Sequence, residues 1–187
     1  MIYMKSIDNY ISEKLIINKN SGKKHYNYFP ETKEELQKII NQRIAKEGNN
    51  CNLNDIDVSE ITDMSCLFRW SKFNGDISKW DVSNVINMGE MFVDAAFNGD
   101  ISEWDVSKVE IMECMFFKSK FNGDISKWNV INVKDMSGMF YLSKFNQDIS
   151  KWKVSNVKNM KYMFCKSPLE GKEKEWWNIK EKEWWNK

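Results

Sequence analysis

A period of 24 residues runs through most of this chain, and it leaves few ways to fold. Phe73, Phe97, Phe121 and Phe145 keep that spacing, as do Trp80, Trp104, Trp128 and Trp152 and the series Ile77, Ile101, Ile125 and Ile149. Met64, Met88, Met112, Met136 and Met160 hold it through five copies, and so do Phe68, Phe92, Phe116, Phe140 and Phe164. An opening copy around Asn52–Ile61 places Ile56 in the Trp slot, and a degraded closing copy places Leu169 and Trp176 in the Phe and Trp slots. A unit this short cannot bury its own apolar side, so the copies must stack and share one core, with atypical units at both ends.

Each copy reads in two halves. Ile77, Trp80, Val82 and Val85 stand at leucine-rich-repeat spacing, and Trp80 and Val82 alternate with Asp81 and Ser83 like a short strand with one buried face. Met88, Met91, Phe92 and Ala95 then fall at i, i+3, i+4 and i+7, one stripe of a helix. Asn74-Gly75, Asn98-Gly99 and Asn122-Gly123 read as the turns that close each coil. The fold expected from this pattern is an α/β, leucine-rich-repeat-like solenoid of 24-residue rungs, each with a short parallel strand and a short helical segment.

The unit Phe73-Asn-Gly-Asp-Ile-Ser-Lys-Trp80-Asp-Val-Ser-Asn-Val85-Ile-Asn-Met88-Gly-Glu-Met91-Phe92 resembles the BspA-like repeat of bacterial surface proteins. The resemblance covers about residues 51–167, and Phe29-Pro30-Glu-Thr32-Lys-Glu-Glu35-Leu36 resembles the lead-in that often precedes such arrays. It implies an adhesion or protein-recognition role, and it carries no shared catalytic residues.

The flanks read as seals. Thr32-Lys-Glu-Glu35 is a capping box that opens a helix over residues 32–47, with Leu36, Ile39, Ile40 and Ile44 on one stripe and Gly48 at its end. Residues 5–17 show a second, shorter stripe of Ile7, Tyr10, Ile11 and Leu15. At the C-terminus a tandem octapeptide brings Trp176, Trp177, Trp184 and Trp185, either a lid on the last rung or an exposed aromatic patch. The expected organisation is an N-terminal segment 1–30, a capping helix within 31–50, the repeat array 51–167 and a C-terminal cap 168–187.

Composition narrows the function. Lys plus Arg (28) nearly equals Asp plus Glu (27), without the basic excess that phosphate binding requires, so nucleic acid is not the expected partner. His25 is the one histidine, and the repeated Ser78, Ser102, Ser126 and Ser150 have no base to activate them, so no enzyme and no cofactor is expected. The four cysteines lack zinc spacing, and Cys66 and Cys114, in one slot two rungs apart, are expected to be packed thiols. No apolar run reaches signal-peptide or membrane-span length, so the expected location is cytoplasmic, with surface association implied only by the resemblance.

What varies between copies is the outward ladder. The slot after Trp reads Asp57, Asp81, Asp105, Asn129 and Lys153, and the slot before it Asp55, Lys79, Glu103, Lys127 and Lys151. The ladder grades from acidic to basic, and single carboxylates on a flat ladder converge too poorly for calcium. Asp57, Asp81, Asp105, Glu103, Lys127, Lys151 and Lys153 are the candidate binding face for a protein partner. Charge reversal at Asp81 and Asp105 is expected to weaken that binding and leave the fold cooperative. Asp76, Asp100, Asp124 and Asp148, present in every copy, are expected to hold turns. The alternative reading is a self-associating structural component of a surface or particle.

Overall fold

The computed structural model describes residues 26–177. The helix expected over residues 5–17, His25, and Trp184 and Trp185 lie outside the described residues. Among the described residues the α-helices are α1 (Lys33–Glu47) and α2 (Lys172–Trp177), one on each side of the repeats. Between them the chain makes five rungs, residues 49–72, 73–96, 97–120, 121–144 and 145–168, stacked in register 24 residues apart.

The rungs overturn the predicted fold class. They contain no strand and no helical segment; β pairing is limited to isolated parallel bridges such as Asp63–Asn87, Asn87–Ile111, Ile111–Asp135 and Asp135–Asn159. An α/β, leucine-rich-repeat-like solenoid of strands and helices is therefore not what this sequence builds. The expected strand fails because turns flank it on both sides: Trp80 N–H donates to the Ile77 carbonyl (3.2 Å) and Val85 N–H to the Val82 carbonyl (2.9 Å). The burial alternation survives, with Trp80 and Val82 inside and Asp81 outside, but too few extended residues remain to form a ladder. The Trp side chains bridge rungs there instead. The indole Nε1 groups of Trp80, Trp104, Trp128 and Trp152 donate to the carbonyls of Leu53, Ile77, Ile101 and Ile125 at 2.9–3.2 Å.

The expected helix is a ribbon of consecutive turns. In the first rung Leu67, Arg69 and Ser71 N–H groups close onto the Met64, Cys66 and Phe68 carbonyls, three residues back. The alternate N–H groups of Met64, Cys66, Phe68 and Trp70 donate to Asn87, Gly89, Met91 and Val93 in the next rung at 2.8–3.0 Å. An α-helix would use those donors internally; here half of them are spent on stacking. The ribbon places Cys66, Trp70, Glu90, Asp94, Cys114, Lys118, Leu142, Tyr162 and Lys166 at φ between 49° and 62°, as the third position of a type II turn requires. A non-glycine residue in this region costs about 1–2 kcal/mol, so the rung-to-rung bonds must offset a strain that recurs twice in every rung but the fourth, where Gly138 takes one of the two positions.

The Asn-Gly dipeptides are not turns either. Asn74, Asn98 and Asn122 side chains accept the N–H of Asn98, Asn122 and Asn146 one rung on, at 2.7–2.8 Å. Gly75 is there because a Cβ would sit 1.9 Å from the Cys51 carbonyl oxygen and 2.7 Å from the Phe73 ring. The core consists of aromatic columns: Phe68, Phe92, Phe116, Phe140 and Phe164 stack with centroids 5.5–5.7 Å apart, and Phe73, Phe97, Phe121 and Phe145 at 6.2–6.3 Å. Such ring pairs each add about 0.5–1.5 kcal/mol beyond the area they bury.

The ends are closed by the helices. Thr32 caps α1 by accepting the Glu35 N–H (3.2 Å), while the Glu35 carboxylate returns to Glu31 N–H (2.9 Å), one residue before the cap. Leu36, Ile39 and Ile40 of α1 join the core cluster, and on α2 Trp176 and Trp177 pack against Phe164 at 6.1 and 6.0 Å. No helix among the described residues is long and apolar enough to cross a membrane.

Candidate functional site

The ladder beside the Trp column is built from Asx turns. Asp57, Asp81 and Asp105 accept the N–H of Ser59, Ser83 and Ser107 at 3.0–3.1 Å, and Asn129 does the same for Ile131 at 3.3 Å. Each carboxylate spends one oxygen on the backbone of its own turn. The Ser107 hydroxyl and N–H hold the Asp105 carboxyl below the usual aspartate range. This geometry changes how the face must be probed. Asp81→Lys would remove a turn acceptor as well as reverse a charge, whereas Asp81→Asn keeps the acceptor, as Asn129 does.

The structure also redraws the charge gradient. Asp55, expected to open the acidic end, is drawn to Arg43 of α1, whose Nη1 donates to both carboxylate oxygens at 2.8 and 3.0 Å, and Arg43 also grips Glu47 and the Asn52 carbonyl. The arginine loses water there, yet its bonds to Glu47 and Asp55 outweigh that loss and raise its pKa. Glu103 and Lys127 face each other from adjacent rungs at 3.6 Å, both largely exposed, a pair worth little by itself. Lys151 and Lys153 are exposed at the basic end. Tyr26 lies close enough to the acidic end that burial first, then Asp57 and Asp81, raise its phenol pKa.

The second ladder, Asp76, Asp100, Asp124 and Asp148, accepts the N–H of Ser78, Ser102, Ser126 and Ser150 at 2.8–2.9 Å. These aspartates hold turns. Among the described residues no three His, Cys, Asp or Glu side chains are arranged to hold a metal ion. The four cysteines are free thiols, and burial, with Glu113 and Glu90 nearby, pushes Cys114 up to about 11, far from a reactive thiolate. Of the aromatic patch, Trp176 and Trp177 are half-buried against the last rung.

The sequence reading missed an outward face on the turn ribbon. Trp70 is 66% exposed, with the Arg69 guanidinium 4.1 Å over its ring and bonded to Glu90 at 2.8 Å. Further along, Phe117 meets Tyr141 at 5.2 Å and Tyr141 meets Tyr162 at 6.3 Å. A signal for this face was present: the slot of Trp70 reads Asp94, Lys118, Leu142 and Lys166 in the later rungs, varied where core slots are constant.

No curated protein and no solved structure matches this chain. One family model matches it twice, over residues 34–141 and 117–186, so that the overlapping matches take in nearly all of α1, every rung after it and α2. The match is to a repeat family and does not identify the BspA-like repeat. On that coverage the chain belongs to the family described as Mycoplasma protein of unknown function, DUF285.

Proposed function

We propose that this chain is a non-enzymatic protein-recognition module, with Asp57, Asp81, Asp105, Glu103, Lys127, Lys151 and Lys153 as its binding face. The observation that carries the reading is the contrast between core and ladder. The Phe97, Phe121 and Phe145 slot is fully buried and identical from rung to rung, while the ladder beside the Trp column changes from aspartate to lysine. A stack that repeats its interior and varies its outside presents a long surface addressed to a partner. The resemblance of the repeat motif to the BspA-like repeat of surface proteins supports recognition or adhesion over catalysis. The use of the repeated aspartates and serines in turns supports the same reading.

The test is capture of partners from a lysate with the intact chain and with the Asp81→Asn/Asp105→Asn variant, which keeps the turn acceptors. A partner held by the first and lost by the second is the expected result. Equal retention by both would remove the site from this face.

A further inference from the structure

We propose that the turn-ribbon face is a homodimer interface, on which two copies of this chain pair side by side and antiparallel. Trp70, Leu142 and Tyr162 are large apolar or aromatic side chains exposed on one face, and Phe117 and Tyr141 lie half-buried between them. Aromatic and arginine side chains of this kind are the usual anchors of interfaces, and the Arg69 guanidinium is already stacked on Trp70.

The backbone gives an independent argument. Trp70, Asp94, Lys118, Leu142 and Lys166 hold φ between 49° and 59°, where glycine would fit without strain. Gly138, in the companion slot at φ 60°, shows that glycine serves the ribbon. Side chains kept at a strained position in every rung point to a use for them outside the fold.

Charge selects the partner. Residues 49–120 hold 13 acidic and six basic side chains, a net of −7, whereas residues 121–168 hold three acidic and eight basic, a net of +5. On the ribbon face this polarity is carried by Asp94 in the second rung and by Lys161 and Lys166 in the fifth, with Glu113 and Lys118 of opposite sign in the third, all exposed. A stripe whose sign reverses near its middle is complementary to itself after a two-fold rotation. An axis between the third and fourth rungs, near Phe117 and Tyr141, brings Asp94 of each copy opposite Lys161 and Lys166 of the other and sets the third rung, with Glu113, against the fourth. Because α1 and α2 close the ends of the stack, side-by-side pairing is the geometry left to it, and an antiparallel pair is closed at two copies. This face is separate from the ladder beside the Trp column, so either assignment stands if the other fails.

The experiment is sedimentation of the full chain at low salt over a wide concentration range, with two charge-exchange variants. Asp94→Lys/Glu113→Lys and Lys161→Glu/Lys166→Asp introduce only residues that another rung already carries in the same slot, so the fold has room for each. The intact chain is expected to form dimers that weaken with added salt. Each variant alone is expected to lose at least about tenfold in dimer affinity while melting cooperatively, and an equimolar mixture of the two to recover it. Asp81→Asn/Asp105→Asn is expected to dimerise like the intact chain. A monomer at every concentration, growth beyond the dimer, undiminished pairing of either variant alone, or loss of pairing in the Asp81/Asp105 variant would each overturn the proposal.

Discussion

Tryptophan and aspartate are the two residues this stack uses for more than packing. Each indole of Trp80, Trp104, Trp128 and Trp152 fills the core and also satisfies a carbonyl in the rung before it, a donor that phenylalanine lacks. Trp104→Phe therefore leaves the Ile77 carbonyl buried without its partner, and a loss of about 1–3 kcal/mol is expected in urea denaturation. A loss below about 0.5 kcal/mol would mean that water reaches that carbonyl. The turn aspartates make the fold sensitive to acid. Ser102, Ser126 and Ser150, through their N–H groups first and then their hydroxyls, hold Asp100, Asp124 and Asp148 below their ordinary value of 3.8. A folded value below the unfolded one gives stability that is present above the unfolded value and lost as pH falls through the folded one. Melting followed by circular dichroism should be flat in pH from neutrality down to about pH 5 and fall below about pH 4. Asp124→Asn, which keeps the acceptor, should blunt that fall, and an equally acid-sensitive variant would assign it to other groups.

At the scale of the element, the turn ribbon trades backbone comfort for stacking. Its hydrophobic spacing is that of a helix, and Met88, Met91, Phe92 and Ala95 are all buried as a helix stripe would be. Three linked turns satisfy the same spacing, so side chains alone do not choose between the two backbones. The choice falls to the donors: the ribbon alone leaves alternate N–H groups free to reach the next rung. The strain in it is measurable. Lys118, exposed at φ 54°, should gain up to about 1 kcal/mol on replacement by glycine, the left-handed penalty less the entropy glycine loses. Gly138→Val should do the reverse and cost more, because φ is 60° there and a Cβ would lie 2.9 Å from the Cys114 sulfur. Denaturation midpoints of the two variants moving in the same direction would refute this account of the ribbon.

For the whole molecule, identical slots on every rung make the stack divisible. Removing residues 97–120 joins Ala96 to Phe121, which takes the place of Phe97 in the same slot, and all columns close again one rung shorter. That deletion should give a folded protein with a smaller denaturant m-value, since less surface is exposed on unfolding. Removing residues 97–108 cuts half a period, sets core side chains against turn positions and should leave the chain unfolded. A folded half-period deletion would show that the register is not what holds the stack. The deletion of a full rung also shortens the distance between the acidic and basic halves, so it doubles as a probe of how charge is laid out along the stack.

Register, core and end seals could be read from the amino-acid order, because they depend on which residues recur and how far apart. The columns of Phe, Met and Trp, the Thr32 cap and apolar stripe of α1, and the turn role of Asp76, Asp100, Asp124 and Asp148 are all of this kind. The backbone path was not legible. A short alternating run reads as a strand and an i, i+3, i+4, i+7 run as a helix, yet both patterns report only where side chains point. Which carbonyl each N–H meets was decided by the next rung, 24 residues away, through bonds such as Met88 to Ile111 and Phe92 to Met115. The same holds for the surface: Asp55 left the ladder because folding set Arg43 beside it. Trp70, Phe117 and Tyr141 came to share one face only when the ribbon turned them outward.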